Sequence, residues 1–177
     1  MRDKISLLTR LLFVITLGIL GGAFGVLAQG GAEIPDRIDH ISDYAEIYTE
    51  QDEQELNTVL QALGESEGFE IDILAIESTG EMTIEEFGDA VQREWGVSAN
   101  ENLKRHLLII IAVEDGRYNL VTTQGLERFL PDSELTRINN EVIVPALENE
   151  SVEVAMTAGI EAMIASYREA VESDTPV

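Results

Sequence analysis

Apolar residues follow three different rhythms along this chain. From Leu11 to Ala28 they run without a charge, and Thr16 is the one polar side chain among them. A bilayer core needs roughly 20 apolar helical residues, with a range of about 17–25, so this run predicts one membrane span. A helical rhythm follows: Leu56, Val59, Leu60 and Leu63 recur at i, i+3, i+4 and i+7, which makes one apolar stripe. Thr49 is the expected cap, with Glu50 and Asp52 in the first turn, where the helix end attracts acids. Gly64 or Gly68 is the expected stop. The third rhythm is alternation. Phe69, Ile71 and Ile73 alternate with Glu70 and Asp72, after which Leu74, Ala75 and Ile76 run continuously. That pattern predicts a strand half covered at its start and buried on both faces later.

The same reading extends to the C-terminus. Thr83-Ile84-Glu85-Glu86 fits a capping box, in which hydroxyl and carboxylate satisfy each other's backbone donors. The helix it opens reaches Trp95 and stops at Gly96. Leu107 to Val113 is an Ile-rich apolar run expected as the central strand. Asp115-Gly116 is the pair a tight type I′ hairpin favours, and Tyr118 to Thr122 returns antiparallel. Gln124-Gly125 turns the chain, and Pro131-Asp132-Ser133 opens a helix carrying Leu135, Ile138 and Val142. Pro145 ends or kinks it, since proline lacks the N–H an inner turn needs. Ser151 caps a last helix with Met156, Ile160, Met163 and Tyr167 on one side.

Helices between strands imply right-handed crossovers. The expected fold is therefore α/β, a small mixed β-sheet sandwiched by helices, preceded by one N-terminal transmembrane helix. The expected division is 1–28 anchor or signal peptide, 29–42 linker, 43–170 domain and 171–177 tail. The linker assignment rests on Gly30, Gly31 and Pro35, with Glu33, Asp36 and Asp39 keeping it solvated.

Charge orients the chain. Arg2, Lys4 and Arg10 precede the apolar run and acid dominates behind it, which places the N-terminus in the cytoplasm and the domain in a periplasm or lumen. The alternative is a cleaved secretory signal, with Val26 and Ala28 as the small-residue positions before Gln29. If the segment stays, Gly18 with Gly22 and Gly21 with Gly25 form small-xxx-small faces for packing against another membrane helix. The whole chain carries −23; without residues 1–28, which carry a net +2, the remainder carries −25. Lys104 is the only lysine in that remainder. Such acidity excludes nucleic acid as a partner, because phosphate binding needs a basic surface, and it suits a basic partner such as an electron carrier. With no cysteine, disulfides and thiolate metal sites are excluded.

Candidate chemistry is sparse. His40 falls in the linker and His106 at the mouth of the central strand, and no Gly-x-Ser-x-Gly elbow offers a nucleophile. His106 is expected to make a structural hydrogen bond. Glu81, Glu85 and Asp89 stack at four-residue spacing, a solvated helix face without the loop that calcium coordination requires. Trp95 is expected as a core plug, with an interface anchor as the alternative. Lys104-Arg105 is expected to pair with neighbouring acids.

Several short motifs agree in order with one known family. They are Asp43-Tyr44-Ala45, Glu67-Gly68, Glu94-Trp95-Gly96-Val97, the Leu107–Ala112 strand and Arg117 after the hairpin. Gly125-Leu126-Glu127, Leu130-Pro131-Asp132 and Pro145 complete the series. From Asp43 to about Tyr167 the chain thus resembles the TPM-domain family of thylakoid-lumen and periplasmic proteins, which includes photosystem II repair factors and a thylakoid acid phosphatase. The resemblance implies a cleft at the sheet end where relatives are proposed to bind a divalent metal, calcium or magnesium, or to hydrolyse phosphoesters. Asp43, Asn102, Arg117 and Asp132 are the residues it places nearest that cleft. The chain departs from the family pattern at Asn100-Glu101-Asn102-Leu103, which lacks an aspartate and a glycine, and at Thr123-Gln124-Gly125. Arg128 also replaces a glycine. The expectation is a non-catalytic, membrane-anchored accessory subunit or maintenance factor of a photosynthetic or respiratory complex. The alternatives are a weak metal-dependent phosphatase and a secreted soluble protein.

Overall fold

The computed structural model describes residues 33–97 and 105–174. The Leu11–Ala28 run, Gly18, Gly21, Gly22, Gly25 and Asn102 lie outside the described residues. Among those described, no helix is long and apolar enough to cross a membrane.

Four strands, β1 (Ile41–Asp43), β2 (Glu70–Ile76), β3 (His106–Ala112) and β4 (Arg117–Thr122), form a sheet in that spatial order. β1, β2 and β3 are parallel and β4 is antiparallel to β3, so the sheet is mixed as expected. The helices are α1 (Glu50–Glu67), α2 (Ile84–Glu94), α3 (Gln124–Glu127), α4 (Asp132–Ile138), α5 (Val144–Asn149) and α6 (Val152–Asp174). A π-helical turn, Asn139–Ile143, joins α4 to α5.

Local sequence accounts for the helix ends. Thr49 caps α1 by accepting the Asp52 N–H, and Gly68 closes it in the left-handed conformation, φ 63°. Thr83 and Glu86 form the complete capping box of α2. Within the α1 stripe Leu60 and Leu63 are buried, whereas Val59 is half exposed. Pro145 does not stop the helical run. The chain switches to the wider π turn just before it, which relieves the clash a proline ring makes with the preceding turn.

Alternation divides the sheet between two cores. Ile71, Ile73, Ala75, Leu107, Ile109 and Ile111 face α1, α4 and α6. Leu74, Ile76, Leu108, Ile110 and Ala112 face α2 and Trp95. Both faces of β2 and β3 are apolar and both need cover. Hence α1 and α2 lie on opposite faces, although β1, β2 and β3 advance in one direction across the sheet. The two crossovers are therefore of opposite hand, which corrects the expectation that both are right-handed.

The turn after β3 also differs. Ala112 pairs with Arg117, leaving a four-residue loop, Val113–Gly116, closed by the Gly116 N–H on the Val113 carbonyl. Gly116 has φ 62° but Asp115 does not have a positive φ. A type I′ turn needs both central residues left-handed, so Asp115-Gly116 is not one. Gln124-Gly125 lies in the single-turn helix α3 rather than in a turn. The stretch expected as a linker to residue 42 ends in a strand, since Ile41 and Ser42 pair with Ile73 and Leu74.

Candidate functional site

Of the residues implied by the family resemblance, Asp43 and Arg117 lie on opposite edges of the sheet, while Arg117 and Asp132 line two hollows that share Tyr118. Asp43 ends β1 and Arg117 begins β4, the two edge strands. Three inter-strand steps of about 4.8 Å put those strands about 14 Å apart. Both Asp43 oxygens are engaged: one accepts the Ala45 N–H at 3.1 Å, the other the Tyr48 N–H at 2.8 Å. Arg117 lines a hollow of about 120 Å³ with Leu147, Val152 and Met156. Asp132 lines a different, open groove of about 440 Å³, where Tyr118, Asn119 and Leu120 of β4 face Asp132, Thr136 and Asn139. The Tyr118 hydroxyl donates to Asn139 Oδ1 across that groove. The fourth residue, Asn102, lies outside the described residues.

Asp115 is occupied in the same way as Asp43. It accepts from Ser78 Oγ at 2.8 Å and from the Thr79 N–H at 2.9 Å. These bonds, led by the Thr79 N–H, pull its pKa below the usual value. Both acids at the carboxyl ends of the strands thus serve main-chain donors of neighbouring loops. Among the described residues no three histidine or acidic side chains converge on a point where a metal ion could sit.

A cluster that sequence reasoning missed lies at the opposite, amino end of the parallel strands. Asp72 is fully buried, although alternation placed it on a covered strand's polar side. Its Oδ2 accepts from His106 Nε2 at 2.9 Å, and its Oδ1 from Arg37 Nη2 at 2.8 Å and His40 Nδ1 at 3.2 Å. Burial alone would raise the Asp72 pKa. The hydrogen bonds from His106 and His40 and the Arg37 charge outweigh it and hold the group down to about 2. His40 moves the other way: its bond to Asp72 raises its pKa above 6.5 despite partial burial. His106 is buried with no partner for Nδ1 among the described residues. It makes a buried hydrogen bond of the kind expected of it, to Asp72.

The cluster fastens residues 34–40 across the sheet end. Ile34 packs against the α2 core. The Trp95 Nε1–H donates to the Pro35 carbonyl at 2.8 Å, and the Tyr44 hydroxyl to the Asp36 carbonyl at 2.9 Å. The Ile38 N–H donates to Ser42 Oγ at 2.9 Å. Trp95 thus ties this strap to the core it half enters. One signal in the sequence pointed here: Arg37 and His40 are the only basic side chains between Gln29 and Gln92.

Comparison with known proteins matches most of the chain to one family. A family model described as the TPM domain, named TPM phosphatase, matches residues 41–166. The chain is similar to the N-terminal domain of a P. gingivalis protein, with TM-score 0.68 and 26% identity over 75% of this chain and 84% of that one. It is also similar to the BA42 protein of the psychrophilic bacterium Bizionia argentinensis, with TM-score 0.61 and 18% identity over 72% and 86% of the two chains. The N-terminal domain of the cg2496 protein of Corynebacterium glutamicum aligns with TM-score 0.56 and 20% identity, covering 82% and 88%. Comparison with curated proteins gives no match.

Proposed function

Because this chain belongs to the TPM domain family, we propose that it puts that fold to non-catalytic use, as a membrane-anchored accessory subunit or maintenance factor. In this reading Leu11–Ala28 spans the membrane, the domain lies in a periplasm or lumen, and a larger photosynthetic or respiratory complex is the partner. The observation that carries the reading is the engagement of Asp43 and Asp115. Asp43 accepts the Ala45 and Tyr48 N–H groups and Asp115 the Thr79 N–H and the Ser78 hydroxyl, so each carboxylate spends on its own loop part of the acceptor capacity that a substrate or ion would use. The strap adds support, since it fastens the segment that follows the N-terminal run to the folded core. The net charge of −23 favours a cationic partner surface, a soluble basic electron carrier included.

Metal-assisted phosphoester hydrolysis is the competing reading, favoured by the name of the matching family model. Purified protein incubated with p-nitrophenyl phosphate and Mg²⁺ or Ca²⁺ separates the two. The accessory reading predicts no ion-dependent turnover. Hydrolysis that requires the ion, is lost in Asp43→Ala or Asp132→Ala and survives in Glu85→Ala overturns it. The secreted alternative is decided by mass: an N-terminus near Gln29 in the soluble fraction establishes it, and an intact N-terminus in membranes excludes it.

A further inference from the structure

We infer that the free edge of β4 is a docking site for an extended segment of a partner protein bearing lysine or arginine, which adds to the sheet as a fifth strand. The inference deepens the accessory reading and rests on it. The ladder itself fixes which groups are free. The Thr123 N–H donates to the His106 carbonyl at 3.0 Å, and antiparallel pairing repeats every second residue. Arg117, Asn119 and Val121 therefore bond to β3, whereas Tyr118, Leu120 and Thr122 turn their N–H and C=O groups outward. No hydrogen bond among the described residues reaches those outward groups.

Among the described residues the edge is open and its flanks are closed. On one face α2 lies so near that a Cβ at Gly88 would stand 3.2 Å from Asn119 Nδ2 and Val121 Cγ2. On the other, α4 and the π turn approach through the Tyr118–Asn139 bond. Residues of both facings, Tyr118, Asn119 and Leu120, line the same groove, so the backbone edge itself forms one wall. Native edge strands are ordinarily blunted by lysine, proline, a bulge or extreme shortness. β4 carries none of these, with Arg117 at its start as its only charge. The opposite edge is managed, because β1 is three residues long and its Ile41 N–H is taken by Asn57 Oδ1.

Charge selects the occupant. The groove holds Asp132, on a chain of net charge −23. A second copy would bring the same repulsive charge to the edge, whereas an extended cationic segment neutralises it while its main chain fills the outward donors and acceptors.

The test uses full-length protein in detergent micelles and three synthetic peptides of about ten residues. One alternates lysine and valine, one alternates glutamate and valine, and one is the lysine peptide N-methylated at every second amide. The lysine peptide is expected to bind, more weakly as salt rises, and to slow amide exchange at Tyr118, Leu120 and Thr122 at least tenfold. The other two are expected not to bind. Thr122→Pro removes an outward N–H while sparing the β3 ladder and is expected to weaken binding at least tenfold. Asp132→Asn, a change of charge alone, is expected to weaken it severalfold, and it keeps the inference testable should the proline variant fail to fold. Equal binding of all three peptides, unchanged exchange at the three amides, or slowed exchange caused by self-association overturns the inference. Failure here with co-purification of a complex intact would sink the edge site and leave the accessory reading standing.

Discussion

Asp72→Asn exposes what the buried cluster contributes to folding. The substitution keeps the side chain's shape and one acceptor oxygen and removes the charge that His106, His40 and Arg37 surround. Asp72 titrates at about 2 in the folded chain against an ordinary value of 3.8. A depressed carboxyl stabilises the fold fully above the unfolded value, and that stabilisation is lost as pH falls through the folded one. The gap corresponds to roughly 2–3 kcal/mol. Removing one partner of a buried ion pair costs about 3–5 kcal/mol. Arg37 keeps 34% of its side-chain surface exposed and can rehydrate, so a loss of roughly 2–4 kcal/mol is expected at neutral pH. The assay is urea unfolding followed by the fluorescence of Trp95, the one tryptophan, repeated from pH 2 to pH 7. Other carboxylates titrate in both proteins, so the difference between the two curves isolates Asp72. That difference should be largest above about pH 4 and shrink towards pH 2. Parallel curves over the whole range would refute the claim that an ionised Asp72 holds the cluster together.

Three further outcomes follow from the same geometry. The raised pKa of His40 gives stability that is fully present below its ordinary value of 6.5 and lost as pH rises through its folded value; urea midpoints should therefore fall as pH rises past neutral, and His40→Asn should flatten that part of the curve. Gly159→Ala places a Cβ 2.6 Å from Ile143 Cγ1 in a buried contact, so a loss of about 1–3 kcal/mol is expected. Ile143→Val in the same chain should recover part of it, as a double-mutant cycle will show. Thr83→Ala removes the capping box of α2 and should cost about 1 kcal/mol in thermal or urea unfolding, without changing the m-value.

The helices and strands were legible because their signals are local. Thr49, Thr83, Gly68 and Ser151 act as caps or stops, and each does so through its own side chain or backbone freedom. The apolar runs of β2 and β3 specified strands covered on both faces. What they could not specify is which helix covers which face, and that choice sets the opposite hands of the two crossovers. The hairpin turn departs from the expected type I′ form because Asp-Gly marks a left-handed glycine without stating loop length; a four-residue loop uses the same glycine one position outside the central pair.

Long-range polar contacts were the least legible. Asp72 follows Glu70 in an alternating strand and reads as solvent-facing, yet its partners come from 35 residues before it and 34 after it. No period in the sequence encodes such a cluster. The scarcity of basic residues around Arg37 and His40 was the only clue. The same limit applies to the sheet end: the short motifs named Asp43, Arg117 and Asp132 one by one, and only the strand order separates the first two across the width of the sheet.

Recovery of a partner from membranes tests the accessory reading most directly. Full-length chain and a form lacking residues 1–28 are each purified from gently solubilised membranes of the producing cell, and the masses of the recovered assemblies are compared. The account predicts that the full chain emerges in stoichiometric association with a membrane complex and that the truncated form does not. A full-length chain recovered alone from those membranes contradicts it.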